Sequence, residues 1–296
     1  MLNRIYSALY NDLGETVLVC PGIINTNFTL ISNNSKILFE RYQCAHGHST
    51  VFVLAGQAYS ENITIQSGED DEIVISLEKP ESCQNLIIMS TIVRNEDEYI
   101  LQWINYHLFL GVHKFIIYDN VENNDPAPMS GHLIGKGTSS NLAKLLANYI
   151  DSGQVTLIDW SFKVKFQQTQ QNHSIWAYKN AAYIGFFDVD EYVNPQIETI
   201  QIPDLIQHCI KKKNLNSNNI GGFKFANLAF YNPFSLPEKN YDFLNIYNTD
   251  LKFNSESGKC FINPKNTQCY SVHGITIGKE VYEIDVSDAY FNHYIF

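Results

Sequence analysis

Through the first 84 residues, apolar and polar positions alternate with a period of two. The alternation is seen in Thr16-Val-Leu-Val-Cys20, Phe28-Thr-Leu-Ile31, Thr50-Val-Phe-Val-Leu54, Asn62-Ile-Thr-Ile65 and Glu72-Ile-Val-Ile-Ser76, with Gly, Asn and Ser clusters between them. Side chains two apart share one face of a strand, so residues 1–84 predict a small antiparallel β-rich unit. Gly68-Glu-Asp-Asp-Glu72 reads as a solvated acidic turn, and Lys79-Pro-Glu-Ser82 as the linker that ends the unit.

From Leu86 the pattern changes to strands and helices in alternation, which predicts an α/β domain over residues 85–296 with a mostly parallel sheet and helices on its faces. Leu86–Val93 is a continuous apolar strand, and Arg94-Asn-Glu-Asp97 is a polar break that opens a helix. Tyr99, Ile100, Trp103, Ile104, His107, Leu108 and Leu110 form its apolar stripe, which Gly111 ends. Lys114–Tyr118 is the next strand and runs into Asp119-Asn120. After a long loop containing Pro126 and Pro128, Asn141–Ile150 predicts a helix, Gln154–Ile158 a strand and Gln167–Ala182 a second long helix. Pro203–Lys213 predicts a surface helix whose Lys211-Lys-Lys213 end suits the helix dipole. Gly222–Phe230 predicts a strand, and the last sixty residues show no regular period.

One stretch combines burial with charge. In Ile184-Gly-Phe-Phe-Asp-Val-Asp-Glu-Tyr-Val193, an apolar run passes straight into Asp188, Asp190 and Glu191. If the strand continues to its end, Asp188 and Asp190 share a face and point from the sheet edge toward one hard cation. Magnesium or manganese suits an all-oxygen site of this kind. In such sheets ligands bind at the carboxyl ends of the strands, where Thr91–Asn95 and Asp119-Asn120 also fall.

Composition narrows the function further. With 45% hydrophobic residues and 13% aromatics in 296 residues, the chain is globular. A net charge of -11 removes generic nucleic-acid binding, which needs a basic surface. Met1–Glu15 has no apolar core of signal-peptide or membrane-anchor length, so the expected location is cytoplasmic, without a membrane span. The six cysteines are then expected to be reduced thiols, and Cys44-Ala-His-Gly-His48 stands as a partial zinc motif without a second ligand pair. Abundant Asn and Ile suggest an AT-rich genome, viral or bacterial.

Three blocks carry a resemblance. Ser90-Thr-Ile-Val-Arg-Asn-Glu-Asp-Glu-Tyr-Ile-Leu-Gln-Trp-Ile-Asn-Tyr-His107, then Leu110-Gly-Val-His-Lys-Phe-Ile-Ile-Tyr-Asp119, then Gly185-Phe-Phe-Asp-Val-Asp-Glu-Tyr192 resemble, in that order, the family 92 glycosyltransferases. The resemblance covers about residues 85 to 296 and implies a GT-A, Rossmann-like fold. It also implies a metal-dependent, inverting transfer from a nucleotide sugar, a UDP-sugar favoured, to a glycan or other hydroxyl acceptor. On this resemblance Asp188, Asp190 and His273 are the metal ligands for Mn2+ or Mg2+, with His293 in reserve. Thr91, Arg94 and Asp119 line the base and ribose pocket, Gln167 and Asn172 approach the donor, Asp188 also contacts it, and Lys259 offsets phosphate charge. An inverting transfer needs a carboxylate to deprotonate the acceptor; Glu191, Glu238, Asp242 and Glu256 are available, with Glu238 and Asp242 preferred because they follow the aromatic strand. His173-Ser174 departs from the family pattern beside Asn172.

Two other classes make different demands. A nucleotidyltransferase uses a similar sheet with paired aspartates but carries a Gly-rich basic loop after its first strand, which Val93-Arg-Asn-Glu96 is not. A non-catalytic carbohydrate-binding protein would place its function in the β-rich N-terminal unit.

Overall fold

The structure is a computed structural model that describes residues 5–32, 35–68, 72–94, 96–120, 141–160, 166–198, 201–231 and 252–295. The alternating N-terminal segments form β1 (Ser7–Tyr10), β2 (Glu15–Pro21), β3 (Phe28–Ser32), β4 (Ser35–Leu38), β5 (Glu40–Cys44), β6 (Ser49–Ala55), β7 (Asn62–Ser67) and β8 (Ile73–Ser76). They pair as two antiparallel four-stranded sheets, ordered β1-β2-β6-β5 and β4-β3-β7-β8. Period-two alternation explains the packing of the first sheet. Leu18, Cys20, Phe52 and Leu54 point into a core shared with Phe28, Leu30 and Ile65 of the second sheet. Val17, Val19, Val51 and Val53 point the other way.

The rest of the chain gives β9 (Ile87–Val93), α1 (Asp97–Phe109), β10 (Lys114–Asp119), α2 (Asn141–Leu145), α3 (Ala147–Asp151), β11 (Val155–Asp159), α4 (Phe166–Ala177) and β12 (Tyr183–Gly185). It continues with β13 (Glu191–Pro195), α5 (Ile202–Lys212), β14 (Gly222–Tyr231), β15 (Phe253–Ile262), β16 (Thr267–Ser271), β17 (Gly274–Gly278), β18 (Val281–Glu283) and β19 (Ala289–Ile295). The large sheet runs β11-β10-β9-β12-β15-β14-β19-β13, with β18 beside β14. Its first four strands are parallel. Beyond them β12 meets β15, β15 meets β14, and β19 meets β13 in antiparallel register, while β14 runs parallel to β19 and β18. The architecture is therefore a mixed α/β one, richer in strand and poorer in helix than the alternation suggested.

Successive residues of the parallel strands face opposite cores. Met89, Phe115 and Ile117 pack with Ile100, Trp103 and Ile104 of α1 and with Leu205 and Ile206 of α5. Ile88, Ile116, Tyr118 and Ile184 pack on the other face with Ile175 and Trp176 of α4 and with Val17, Val19 and Val51 of the first N-terminal sheet.

Five expectations need correction. The predicted helix at Asn141–Ile150 is two short helices broken at Leu146, and the helix from Gln167 ends at Ala177 and not at Ala182. The final sixty residues contain strands β15 to β19. The acidic run is not one strand: β12 stops at Gly185, a turn carries Asp188 and Asp190, and β13 begins at Glu191. Cys44 and Cys269, expected as free thiols, are joined by a disulfide that ties the end of β5 to β16 across 225 residues of sequence. With Cys44 in that bond, the partial zinc motif has lost its thiolate.

Candidate active site

The acidic turn sits at the carboxyl edge of the parallel strands because Ile184 and Gly185 pair with Ile88 and Met89 of β9, and the chain runs on in the same direction. Gly185 is required there: a Cβ would stand 2.5 Å from the Phe261 ring. Burial of Phe186, Phe187 and Val189 then holds the turn against both cores. The turn closes on itself, since the Glu191 N–H donates to the Asp188 carbonyl (3.0 Å) and the Asp188 N–H donates to Glu191 Oε2 (2.8 Å).

Charge is gathered at this turn. Lys259, on β15 and only 2% exposed, donates from Nζ to Asp188 Oδ2 at 2.6 Å and lies 3.3 Å from Glu191 Oε2. On β19, His293 faces Glu191 across the strand pair, with Nε2 3.4 Å from Asp190 Oδ2 and Nδ1 3.9 Å from Glu191 Oε1. Asn227 of β14 reaches His293 Nδ1 at 3.3 Å and Ser257 Oγ at 3.2 Å.

Two carboxylates share one buried ammonium, and their acidities diverge accordingly. Burial works against the Asp188 charge, but the Lys259 ammonium outweighs it and holds the carboxyl below its usual range. Burial, reinforced by the Asp188 charge, raises Glu191 against the smaller pull of Lys259. For Lys259 itself, burial opposes the charge and the two carboxylates overcome it, so its acidity is weakened further. His293 is likewise disfavoured by burial but raised on balance by Asp190 and Glu191. Glu96 belongs to the same field: burial raises it to about 7, with Asp188 and Asp190 adding to the effect and the Arg94 N–H opposing it.

The sequence-derived site residues separate into groups. Asp188, Asp190 and Lys259 come together, but Lys259 is engaged by two carboxylates and does not stand as a bare phosphate counter-charge. Thr91 and Asp119 are buried near the carboxyl ends of β9 and β10, Thr91 Oγ1 having no hydrogen-bond partner, and exposed Arg94 follows β9. Gln167 is half-buried in the first turn of α4. Asn172 is turned away from the acids: its Nδ2 donates to the carbonyls of Gln168 and Tyr270, and its Oδ1 accepts the Tyr270 N–H. It pins α4 to β16, as Gln170 and Ser174 pin α4 to Ser90 and as His173 pairs with the Tyr118 hydroxyl. His273 has an exposed side chain with Nδ1 3.3 Å from the Gly258 carbonyl; partial desolvation of the ring and the Lys259 charge lower its basicity. It is His293, the reserve ligand, that meets Asp190. Glu238 and Asp242 lie outside the described residues. Lys211–Lys213 answer to a local cause, because Lys212 pairs with Asp285 and Asp288 and Lys213 with Asp285.

Asp190 Oδ1 is buried without a hydrogen-bond partner among the described residues. An unpartnered hard oxygen beside a second carboxylate fits a divalent cation that takes one or two protein carboxylates and completes its shell with phosphate oxygens. A cage made wholly from protein is a different matter: among the described residues no group of three His, Cys, Asp or Glu side chains is set to hold a metal. Asp188, Asp190 and His273 do not form such a trio.

A mixed α/β architecture with a charged centre at the carboxyl edge of its parallel strands defines the class of protein, and sequence comparison gives the family. Residues 132–296, more than half of the chain, match the model of glycosyltransferase family 92, and the chain belongs to that family. It is similar to a glycosyltransferase family 92 protein of Ricinus communis (33% identical over 104 residues, 34% of this chain and 15% of that protein). It is also similar to family 92 proteins of Arabidopsis thaliana (30% over 117 residues, 39% and 17%) and Oryza sativa subsp. japonica (30% over 115 residues, 38% and 17%). The matched stretch thus spans about a sixth of the length of these relatives. Among solved structures, ferredoxin-NADP+ reductase from Plasmodium falciparum aligns at 8% identity over 58% of this chain and 73% of that one, and its TM-score of 0.16 carries no argument. No helix among the described residues is long and apolar enough to cross a membrane.

Proposed function

We propose that the chain carries the catalytic domain of a glycosyltransferase that takes a sugar from a nucleotide-sugar donor, a UDP-sugar by preference, and passes it to a hydroxyl of a glycan or comparable acceptor. The observation that carries this reading is the Asp188–Asp190 pair at the carboxyl edge of the parallel strands, inside the family-matched segment, with a buried Asp190 oxygen lacking a partner. Ligands of open α/β sheets bind at that edge, which supports a GT-A-type arrangement with the base and ribose near Thr91, Arg94 and Asp119. Asp188 and Asp190 would hold Mn2+ or Mg2+, and a bound cation supplies stabilisation for the charge of a departing nucleoside diphosphate.

The chain's own groups prepare this centre. Lys259 keeps Asp188 ionised and fixed, and His293 orients Asp190 while Asn227 holds the imidazole. In an inverting transfer the acceptor oxygen bonds to the anomeric carbon as the carbon–phosphate oxygen bond breaks on the opposite face. The acceptor proton passes to a carboxylate, for which Glu238 and Asp242 are the candidates. Glu191 is too deeply buried to reach an acceptor. Residues 1–84 serve as support on this reading, their first sheet sharing a core with α4. The Cys44–Cys269 disulfide favours an oxidising compartment over the cytoplasm, because such bonds are rare where thiols are kept reduced.

The test is a thermal-shift screen of UDP- and GDP-sugars with manganese, followed by release of nucleoside diphosphate in the wild type and in Asp190→Ala. Stabilisation by one donor, and turnover lost in a folded Asp190→Ala, is the expected result. No stabilisation by any donor, or undiminished turnover in the variant, refutes the assignment.

A further inference from the structure

The family-like block that includes Trp103, Tyr106 and His107 lies on α1, away from the charges, yet all three side chains end on the same strand. The strand is β13, the last in the large sheet, which begins at Glu191. The Tyr294 N–H donates to the Asp190 carbonyl and the Gln196 N–H to the Asp288 carbonyl, so the even-numbered backbone groups face β19. Those of Glu191 and Val193 therefore face away from the sheet, on an edge where no strand among the described residues pairs with β13. Trp103 Nε1 donates to the Glu191 carbonyl at 3.0 Å, the Tyr106 hydroxyl donates to the Val193 carbonyl at 2.8 Å, and the Val193 N–H donates to His107 Nε2 at 3.4 Å.

Side chains at i, i+3 and i+4 project from one face of a helix, so residues 103, 106 and 107 can act as a single comb. Their chemical identities match the task. Indole and phenol supply the two donors the carbonyls need. The imidazole acts as acceptor because its Nδ1, 2.9 Å from the Trp103 carbonyl, carries the proton and leaves Nε2 free to receive one. Burial holds His107 down to about 3, so it stays neutral and keeps that role at any physiological pH. The Tyr192 ring, stacked on His107 and edge-on to Tyr106, closes the contact from the strand side.

We propose that Trp103, Tyr106 and His107 are positioning residues that replace the missing neighbour strand of β13 and so fix where Glu191, and with it the Asp188–Asp190 turn, stands relative to Lys259 and His293. They touch neither donor nor acceptor and act only through β13. The proposal rests on the reading of the acidic turn as the active site, but the strand itself gives a separate readout.

The experiment compares Tyr106→Phe, Trp103→Phe, His107→Leu and His107→Gln in the full chain by amide hydrogen exchange and by steady-state release of UDP from a panel of UDP-sugars with manganese. His107→Leu should speed exchange of the Val193 amide by about tenfold, the scale of one lost buried hydrogen bond, while β10 amides are unchanged. His107→Gln, whose side-chain oxygen can accept, should restore much of the protection. Each deletion should lower kcat with little change in the KM for donor. Unchanged Val193 exchange in His107→Leu overturns the clamp, and so does a loosened strand with wild-type kcat in all variants. If Asp190→Ala leaves turnover intact, the site assignment fails, whereas the exchange data still decide whether the clamp exists. Tyr106→Phe and Trp103→Phe, which each remove one donor and preserve the ring or most of its bulk, keep the test open if His107→Leu does not fold.

Discussion

Replacing Lys259 by methionine keeps most of the side chain's volume and removes the only ammonium seen between Asp188 and Glu191 among the described residues. Deleting one partner of a buried ion pair costs about 3–5 kcal/mol. Two features reduce that figure here. The Asp188 side chain is 39% exposed, so water screens its charge once Lys259 is gone. Glu191, made a weaker acid than usual by burial, can take up a proton in place of the lost counter-charge. The expected loss is about 2–3 kcal/mol at neutral pH. Lys259 is raised above 10.5 in the fold, so its contribution is complete below 10.5 and fades as pH rises through the folded value. Asp188 is held below 3.8, so its contribution is complete above 3.8 and fades as pH falls through the folded value. The pair is thus intact across neutral pH, and the penalty of Lys259→Met should stay level down to about pH 4 and shrink only as pH falls below 3.8. Urea unfolding of wild type, Lys259→Met, Asp188→Asn and the double variant forms a double-mutant cycle, in which a coupling of at least about 1 kcal/mol is expected. A coupling below about 0.3 kcal/mol would show that the 2.6 Å contact contributes nothing to stability.

Removing the disulfide with Cys44→Ser and Cys269→Ser together should cost about 2–4 kcal/mol, since the bond closes a very long loop. A guanidinium midpoint that dithiothreitol lowers in wild type but not in the variant is the expected result; no response in either counts against the bond. His107 and His173 are both held down to about 3 by burial. Below 6.5 the unfolded chain takes up protons that the fold refuses, so stability falls as pH drops, by up to about 1.4 kcal/mol per pH unit for each histidine. Denaturation midpoints from pH 7 to pH 4.5 for wild type and His173→Phe measure this, and equal slopes would contradict burial of the neutral ring.

What could be read from the sequence, and what could not, follows from the range of the interactions involved. The parallel strands announced themselves because both faces are covered, which makes Leu86–Val93 and Lys114–Tyr118 near-continuous apolar runs. The acidic turn was visible for a related reason, since carboxylates directly after buried aromatics demand a local explanation. The final strands gave no such signal. β14 was legible as Gly222–Phe230 despite its slip against β15 between Phe225 and Asn227, but β16 and β17 slip register twice, so the period-two pattern is interrupted where it would have revealed them. β19 also pairs with strands distant in sequence, β13 and β14, and similar distance hid the role of Lys259, whose identity was legible but whose carboxylates lie 68 and 71 positions away.

Polar residues inside helices were legible without their partners, and one physical fact accounts for it. A buried polar side chain must find a hydrogen-bond partner, but sequence does not say whether that partner is a ligand or the protein's own backbone. Asn172, taken as a donor contact, binds the Tyr270 backbone; His107, rightly placed on the buried stripe of α1, accepts from Val193, a partner the sequence did not show. Both belong to helices whose polar positions face inward onto strand backbone, and in both the partner lies more than eighty residues away. A strand edge or hairpin next to a charged centre leaves backbone groups that only such side chains can satisfy. The motif-like density of polar residues in α1 and α4 therefore marks the scaffold that holds the site, while the residues expected to meet the donor, Gln167 at the start of α4 and Lys259 on β15 apart, lie on the turn and the strand tips.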